Sequence, residues 1–250
     1  TVLITGASSG IGRASLDRMH QSGWHVVAGV LPTEDVSALQ AQYSERLTIL
    51  PMDITDVEQI ASGRQQIEAV VGDRGLDGLV NNAGIGISAP IELQPMANIR
   101  QVMEVNYFGT LAMCRAFAPV LAANGGGAIV NVLSAAALTN IPNMGGYGPS
   151  KSATRFLSAG VRAELADQGT QVTALIVGSV DTRMAAHVAG QKEQPIDIGR
   201  AGVRAIRKNI DEMDTDWMAT GVRARIAMDP KGYERSLAKL LKADRLSTGK

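Results

Sequence analysis

"TVLITGASSGIG", residues 1–12, runs from an apolar, β-branched stretch into three glycines, Gly6, Gly10 and Gly12. Continuous Val, Ile and Thr without strict alternation is the composition of a strand buried on both faces of a parallel sheet. "IGRASLDRMHQSG" (11–23) then takes up helical spacing and stops at a glycine. The stretch therefore reads as strand, glycine-rich turn and helix start.

Outward from it the same unit repeats. Short apolar runs at 25–30, 47–52, 76–82, 127–134 and 171–177 alternate with helical patterns, among them 56–72 and 98–123. Strand–helix alternation implies βαβ units with right-handed crossovers. The expected fold class is α/β: a single-domain, doubly wound Rossmann fold over residues 1–250. Its sheet should be mostly parallel, of about seven strands, with helices on both faces. Beyond about residue 180 the pattern weakens. Residues 181–199 are polar and without clear periodicity, a helix is expected over about 199–212, "VRARIAM" (222–228) is a candidate last strand, and "YERSLAKLLKA" (233–243) a last helix.

Composition excludes several function classes. The 250 residues are 45% hydrophobic and 19% charged, with 24 basic and 24 acidic side chains and a formal net charge of +0. Such a chain has no long-range field to draw in nucleic acid or an anionic membrane. The basic run "RAGVRAIRKN" (200–209) is followed at once by acids and reads as a solvated helix face. The single cysteine, Cys114, rules out an internal disulfide and a thiolate metal cluster, and the scattered His20, His25 and His187 offer no zinc set. No metal is expected. No apolar run reaches the ~18 residues of a membrane span, and the opening reads as a core strand instead of a leader, so a cytoplasmic location is expected.

The glycine turn has a chemical use. Gly6 permits the tight turn, Gly10 lets backbone approach a pyrophosphate, and Gly12 lets helix and strand pack closely. The free N–H groups and partial positive charge of the helix start then face the phosphates. Further along, "GGYGPSKSA" (145–153) places Tyr147 and Lys151 at i and i+4, on one face of a helix. Pro149 is tolerated near such a helix start. An ammonium one turn away should stabilise the phenolate and lower the tyrosine pKa, bringing it nearer to the range where an acid/base works.

The G-x-x-x-G-x-G spacing, "NNAG" (81–84) at the end of the fourth strand, Asp53 after the third, and Asn106, Ser134, Tyr147 and Lys151 in that order resemble the short-chain dehydrogenase/reductase family. The likeness covers about residues 1–182. "GDRGLDGLVNNAGI" (72–85) and "VVAGVL" (26–31) resemble its hydroxysteroid and retinol dehydrogenase branch. The resemblance implies hydride transfer between a nicotinamide cofactor and an alcohol or ketone. Tyr147 would exchange the proton with the substrate oxygen, Ser134 would orient that oxygen, and Lys151 would also hold the nicotinamide ribose. Asn106 would anchor a water that relays protons. Cofactor contacts would come from Gly6, Ser8, Ser9, Gly10, Ile11, Gly12, Leu31, Asp53, Ile54, Asn82, Ala83, Gly84, Tyr147, Lys151, Gly178, Val180 and Thr182. Val177 stands where the family usually has proline, which puts the rigidity of that loop in doubt. A homodimer or homotetramer is also implied.

NAD is favoured over NADP. Val30 and Leu31 occupy the end of the second strand, where an acid or an arginine decides the choice. No basic residue appears from 24 to 45; Arg13 is the nearest candidate, and Glu34 and Asp35 would repel a 2′-phosphate. The loops expected to select substrate are 86–96, 135–146 and 183–220. "AAALTNIPNMGG" (135–146) is apolar, so the expected substrate is a neutral, mostly apolar alcohol or ketone. Met213, Trp217 and Met218 form either core packing or a lid. The alternative function is a non-catalytic dinucleotide sensor, though relatives of that kind usually lose the tyrosine or the lysine.

Overall fold

The computed structural model describes residues 1–139 and 141–248, with side chains described as far as Lys239. Asn140, within one of the loops expected to select substrate, and residues 249–250 lie outside the described residues.

The apolar runs form parallel strands: β1 Val2–Thr5, β2 Val26–Val30, β3 Leu47–Pro51, β4 Gly78–Asn81, β5 Gly127–Val132 and β6 Thr170–Ile176. A short β7, Glu212–Asp214, completes one sheet of order β3-β2-β1-β4-β5-β6-β7. Every adjacent pair is parallel. The helices between them are α1 Gly10–Gln21, α2 Ser37–Gln42, α3 Val57–Val71, α4 Met96–Met103, α5 Thr110–Ala122, α6 Tyr147–Glu164 and α7 Pro195–Arg207. Two more, α8 Trp217–Met228 and α9 Pro230–Thr248, follow β7.

Strand side chains alternate between two cores. Val2, Ile4, Val26, Ala28, Val80 and Val130 pack with Leu16 of α1, Leu39 of α2 and Ile198 of α7. Leu3, Val27, Leu79 and Ile129 pack with Ile67 of α3, Phe117 of α5 and Val161 of α6. Burial on both faces is the reason the central strands lack polar alternation. Chain order reverses between β1 and β4, which opens a crevice beyond the carboxyl ends of these strands.

The stretch expected as one helix over 98–123 is interrupted. Between α4 and α5 the residues Glu104–Gly109 form a turn of π-helix. A wider turn of this kind re-aims side chains, and it holds Asn106, which is 1% exposed.

The last quarter departs from expectation. "VRARIAM" (222–228) is not a strand but the second half of α8. The seventh strand lies earlier, inside the acidic run, and the preceding helix covers Pro195–Arg207 instead of 199–212. β7 is an edge strand, so it is not an apolar run. Ion pairs hold it: Arg155 of α6 to Glu212 at 2.5 Å, and Arg223 of α8 to Glu212 and Asp214, both at 2.7 Å. A third core joins α8 and α9 to the sheet through Ala219, Val222, Tyr233 and Leu237 against Leu133, Ala174 and Ile176. Met213 and Met218 pack against the cores, whereas Trp217 is half-exposed.

Candidate active site

The crevice widens into a cleft of about 1090 Å³. One end is the glycine turn. Gly6 and Gly10 have φ of +63° and +55°, a region in which an L side chain is strained. A Cβ on Gly12 would stand 2.1 Å from Gly6 O and 2.4 Å from Asn82 Nδ2, so α1 meets the strand ends with no room for a side chain. Ser9 precedes α1 without making a side-chain cap, and the first turn carries no acid. The first N–H groups of α1 therefore have no side-chain acceptor and are free for an anion.

Asn82 pins this end. Its Nδ2 donates to Thr5 O (3.0 Å) and Gly6 O (3.2 Å), while the Thr5 hydroxyl accepts from the N–H groups of Asn82 (3.1 Å) and Ala83 (3.0 Å). Gly6, Ser8, Ser9, Gly10, Ile11, Leu31, Asp53, Ile54, Asn82, Ala83, Gly84, Gly178, Val180 and Thr182 all line the cleft. Gly12 does not; it sits behind the wall as a packing residue. Asp53 Oδ1 accepts from Thr55 N (2.9 Å) and Oγ1 (2.8 Å), which fixes the carboxylate at the cleft wall. Arg13 does not reach the cleft. It pairs with Asp17 at 2.8 Å and bonds Gln42. Glu34 does line the cleft, accepting from Leu31 N at 3.3 Å.

At the other end Ser134, Tyr147 and Lys151 converge. Ser134 ends β5, Tyr147 opens α6, and Lys151 follows one turn later. Lys151 Nζ donates to Val132 O at 2.9 Å and lies 5.8 Å from the Tyr147 ring centre. The expected lowering of the Tyr147 pKa by this ammonium is not what the free site shows. Burial pushes the phenol up, and its hydrogen bond with Ser134 works in the opposite direction. Burial also brings Lys151 down to about 8. Lys151 is buried and Tyr147 partly so at the cleft wall, and desolvation penalises each charged form.

Asn106 does not line the cleft either. Its Oδ1 accepts from Ile85 N (2.9 Å), and its Nδ2 donates to Ile85 O (2.9 Å) and Ser150 Oγ (3.0 Å). A Cβ on Gly84 would lie 3.1 Å from Asn106 Oδ1 and 3.4 Å from Lys151 Nζ, so Gly84 alone separates the two. The side chain thus ties the 84–86 backbone to α6, which positions Lys151.

Within the loops expected to select substrate, several side chains that no sequence pattern singles out shape the cleft. Ser88, Met184 and His187 line the cleft, and a Cβ on Gly86 would touch Met184 Sδ and the Tyr147 ring, each at 3.6 Å. The segment that carries Met184 and His187 has no periodicity to place it. Gln94, buried, accepts from Gly146 N and donates to Ile87 O, both at 3.0 Å, so it ties two of the loops expected to select substrate. Asp216 accepts from Gly178 N (2.7 Å) and from Ala219 N (2.9 Å), capping α8. It holds the loop in which Val177 replaces the usual proline. Cys114 is buried, its thiol pushed up to about 12 by desolvation, and is chemically inert. Among the described residues no helix is long and apolar enough to cross a membrane, and no cluster of His, Cys, Asp and Glu could hold a metal ion.

Comparison with known proteins agrees with this fold. A family model for short chain dehydrogenase matches residues 1–193. Estradiol 17-beta-dehydrogenase 2 of Rattus norvegicus is 38% identical over 187 residues, which is 73% of this chain and 49% of that protein. The human 17-beta-hydroxysteroid dehydrogenase type 2 is 36% identical over 187 residues, 74% of this chain and 48% of that protein. The chain thus spans about half the length of these relatives. A crystal structure of a short chain dehydrogenase from Burkholderia cenocepacia J2315, in complex with NADP, is 34% identical. It superposes with a TM-score of 0.85, covering 94% of this chain and 96% of that one.

Proposed function

The chain belongs to the short-chain dehydrogenase/reductase family, and on that premise we propose that it is a nicotinamide-dependent oxidoreductase acting on a neutral, mostly apolar alcohol or ketone. The observation that carries this reading is the convergence of Ser134, Tyr147 and Lys151 at one end of a cleft whose other end is a side-chain-free anion cradle.

The cradle fits a dinucleotide. The unengaged N–H groups at the start of α1 would take the pyrophosphate, Asp53 and Ile54 the adenine, and Gly178, Val180 and Thr182 the nicotinamide end. When bound, nicotinamide supplies the acceptor or donor of the hydride. The chain's own residues handle the proton. Tyr147 holds it on the phenol oxygen and gives it to, or takes it from, the substrate oxygen. Ser134, already hydrogen-bonded to the phenol, orients that oxygen. Lys151, with a pKa of about 8 in the free site, is close to the working range and supplies the charge that a phenolate requires. The bonds of Asn106 to Ile85 and Ser150 make it a positioning residue, and a water relay through it remains part of the proposal.

NAD should serve at least as well as NADP. Supporting this, Leu31 and Glu34 line the cleft at the end of β2, and Arg13 is committed to Asp17. The NADP bound in the Burkholderia relative weighs against a strict choice. Met184, 47% exposed beside Tyr147, supports an apolar substrate surface. Loops 86–96, 135–146 and 183–220 of a single domain would select it. Phe156, 81% exposed on α6, and Phe108, 48% exposed at the π turn, support a homo-oligomer formed through these outer faces.

The test is absorbance of reduced nicotinamide with a panel of alcohols and ketones of graded polarity, run with both cofactors. Turnover should be highest for neutral, apolar compounds. Tight dinucleotide binding without turnover on any of them would favour the sensor reading, in which Tyr147 and Lys151 have no role.

A further inference from the structure

A second hollow, of about 300 Å³, lies between α1 and α7, away from the cleft. Arg18 of α1 and Arg200, Arg204, Arg207 and Lys208 of α7 and its end form its wall with Val203, and no carboxylate does. Positions 200, 204, 207 and 208 follow helical spacing, so their charges gather on one face. Arg200 is paired with Asp197 at 2.8 Å. The side chains of Arg18, Arg204, Arg207 and Lys208 form no ion pair or hydrogen bond among the described residues. Arg18 Nε is shut off from solvent and meets no acceptor.

Several other arginines are neutralised instead. Arg13, Arg64, Arg155, Arg162 and Arg223 each face a carboxylate. Like charges one turn apart on a helix repel. Helix dipoles offset part of this, because Arg18, Arg204 and Arg207 lie in the last turns of α1 and α7. Each helix end supplies roughly −0.5 of a charge. Two ends against four unpaired cations leave an excess of roughly three positive charges around one concavity.

We propose that this hollow is a binding site for a small phosphate-class polyanion. Guanidinium forks match phosphate oxygens in pairs, and three unpaired arginines converge here from two elements. The volume is at the lower end of ligand pockets, ~300–1,000 Å³, and suits a compact anion. The same chemistry occurs in a free phosphorylated metabolite and in the headgroup of a phosphorylated lipid. The site is independent of the dinucleotide cleft.

The experiment is calorimetric titration of inorganic pyrophosphate into protein saturated with NAD, so that the α1 cradle is occupied. Parallel flotation uses phosphatidylcholine vesicles with and without a phosphoinositide. Arg204→Ala/Arg207→Ala is the comparison; both side chains are exposed and outside the cleft, so dinucleotide affinity serves as the control for folding. Pyrophosphate should bind the wild type and bind the double variant roughly tenfold or more weakly. Pyrophosphate binding without vesicle capture identifies a free ligand. Capture only by phosphoinositide vesicles, lost in the double variant, identifies a headgroup. Binding of neither probe, or equal binding by wild type and variant, overturns the proposal. Binding insensitive to the double variant and competing with NAD would place the anion in the cradle instead.

Discussion

The centre and the edge of the sheet are built by different physics. β1, β4 and β5 are covered on both faces, and hydrophobic burial alone makes them conspicuous. β7 is held at the edge by Arg155, Glu212, Arg223 and Asp214, and by α8 and α9 packed behind it. The cleft opens at the carboxyl ends of the central strands. The edge contributes one tether to it, Asp216 on Gly178. A rigid apolar centre can therefore carry the site while a polar edge adjusts its rim.

The sharpest way to break this comparison is at the centre. Tyr147→Phe keeps the ring and its packing and should lower turnover by ~10²–10⁴ or more. Dinucleotide affinity and Tm should stay near wild type; near-normal turnover on the true substrate would leave only a dinucleotide-binding role. Next in size, Gly12→Val drives a Cβ into Gly6 O and Asn82 Nδ2. Calorimetry on the folded fraction should detect no dinucleotide binding, and unchanged affinity would move the cradle elsewhere.

At the edge the effects should be smaller and mixed. Asp216→Ala removes the cap of α8 and the acceptor of Gly178 N. Loss of a cap costs about 0.5–2 kcal/mol, which corresponds to a drop of a few degrees at ~2–4 °C per kcal/mol. Dinucleotide affinity should weaken several-fold while the pH profile of turnover keeps its shape. Unchanged affinity in a destabilised variant would mean that the edge does not reach the site.

The last effect is on stability against pH. Lys151 is driven down to about 8 by burial, from an ordinary value near ~10.4. Below about pH 8 the lysine is charged in both states and the burial penalty is fully present. Between pH 8 and ~10 the folded state binds fewer protons than the unfolded one, so this group makes stability rise with pH. Burial of Tyr147 reverses the trend above ~10, where the unfolded chain loses its phenolic proton first. Calorimetric melting of wild type and Lys151→Met at roughly pH 7 and 9.5 should show a flatter slope for the variant. Parallel slopes would mean that the lysine is not desolvated in solution.

Legibility followed the same division. Val2 to Thr5, the three glycines and the Tyr147–Lys151 spacing are local patterns with one physical solution each, and they sit where they were expected. "VRARIAM" failed because alternating apolar and basic residues satisfy a strand in isolation, whereas here only Val222 is buried in the third core and Arg223 turns to β7. "EMD" has no strand signature; its partner β6 and the arginines of α6 and α8 make it one. Met184, Gln94 and Asp216 act across loops that no periodicity connects.

The sequence by itself determined the doubly wound order, the glycine turn before α1 and the placing of Tyr147 one helical turn from Lys151, because each depends on residue types at fixed short spacings. Tertiary structure alone decided the surroundings of the Tyr147 phenol. Charge attraction along one helix turn predicts a lowered Tyr147 pKa, whereas burial within the fold raises it. Only the fold also revealed that four cations unpaired among the described residues share one hollow, since Arg18 and the α7 arginines meet through the packing of two helices distant in the chain.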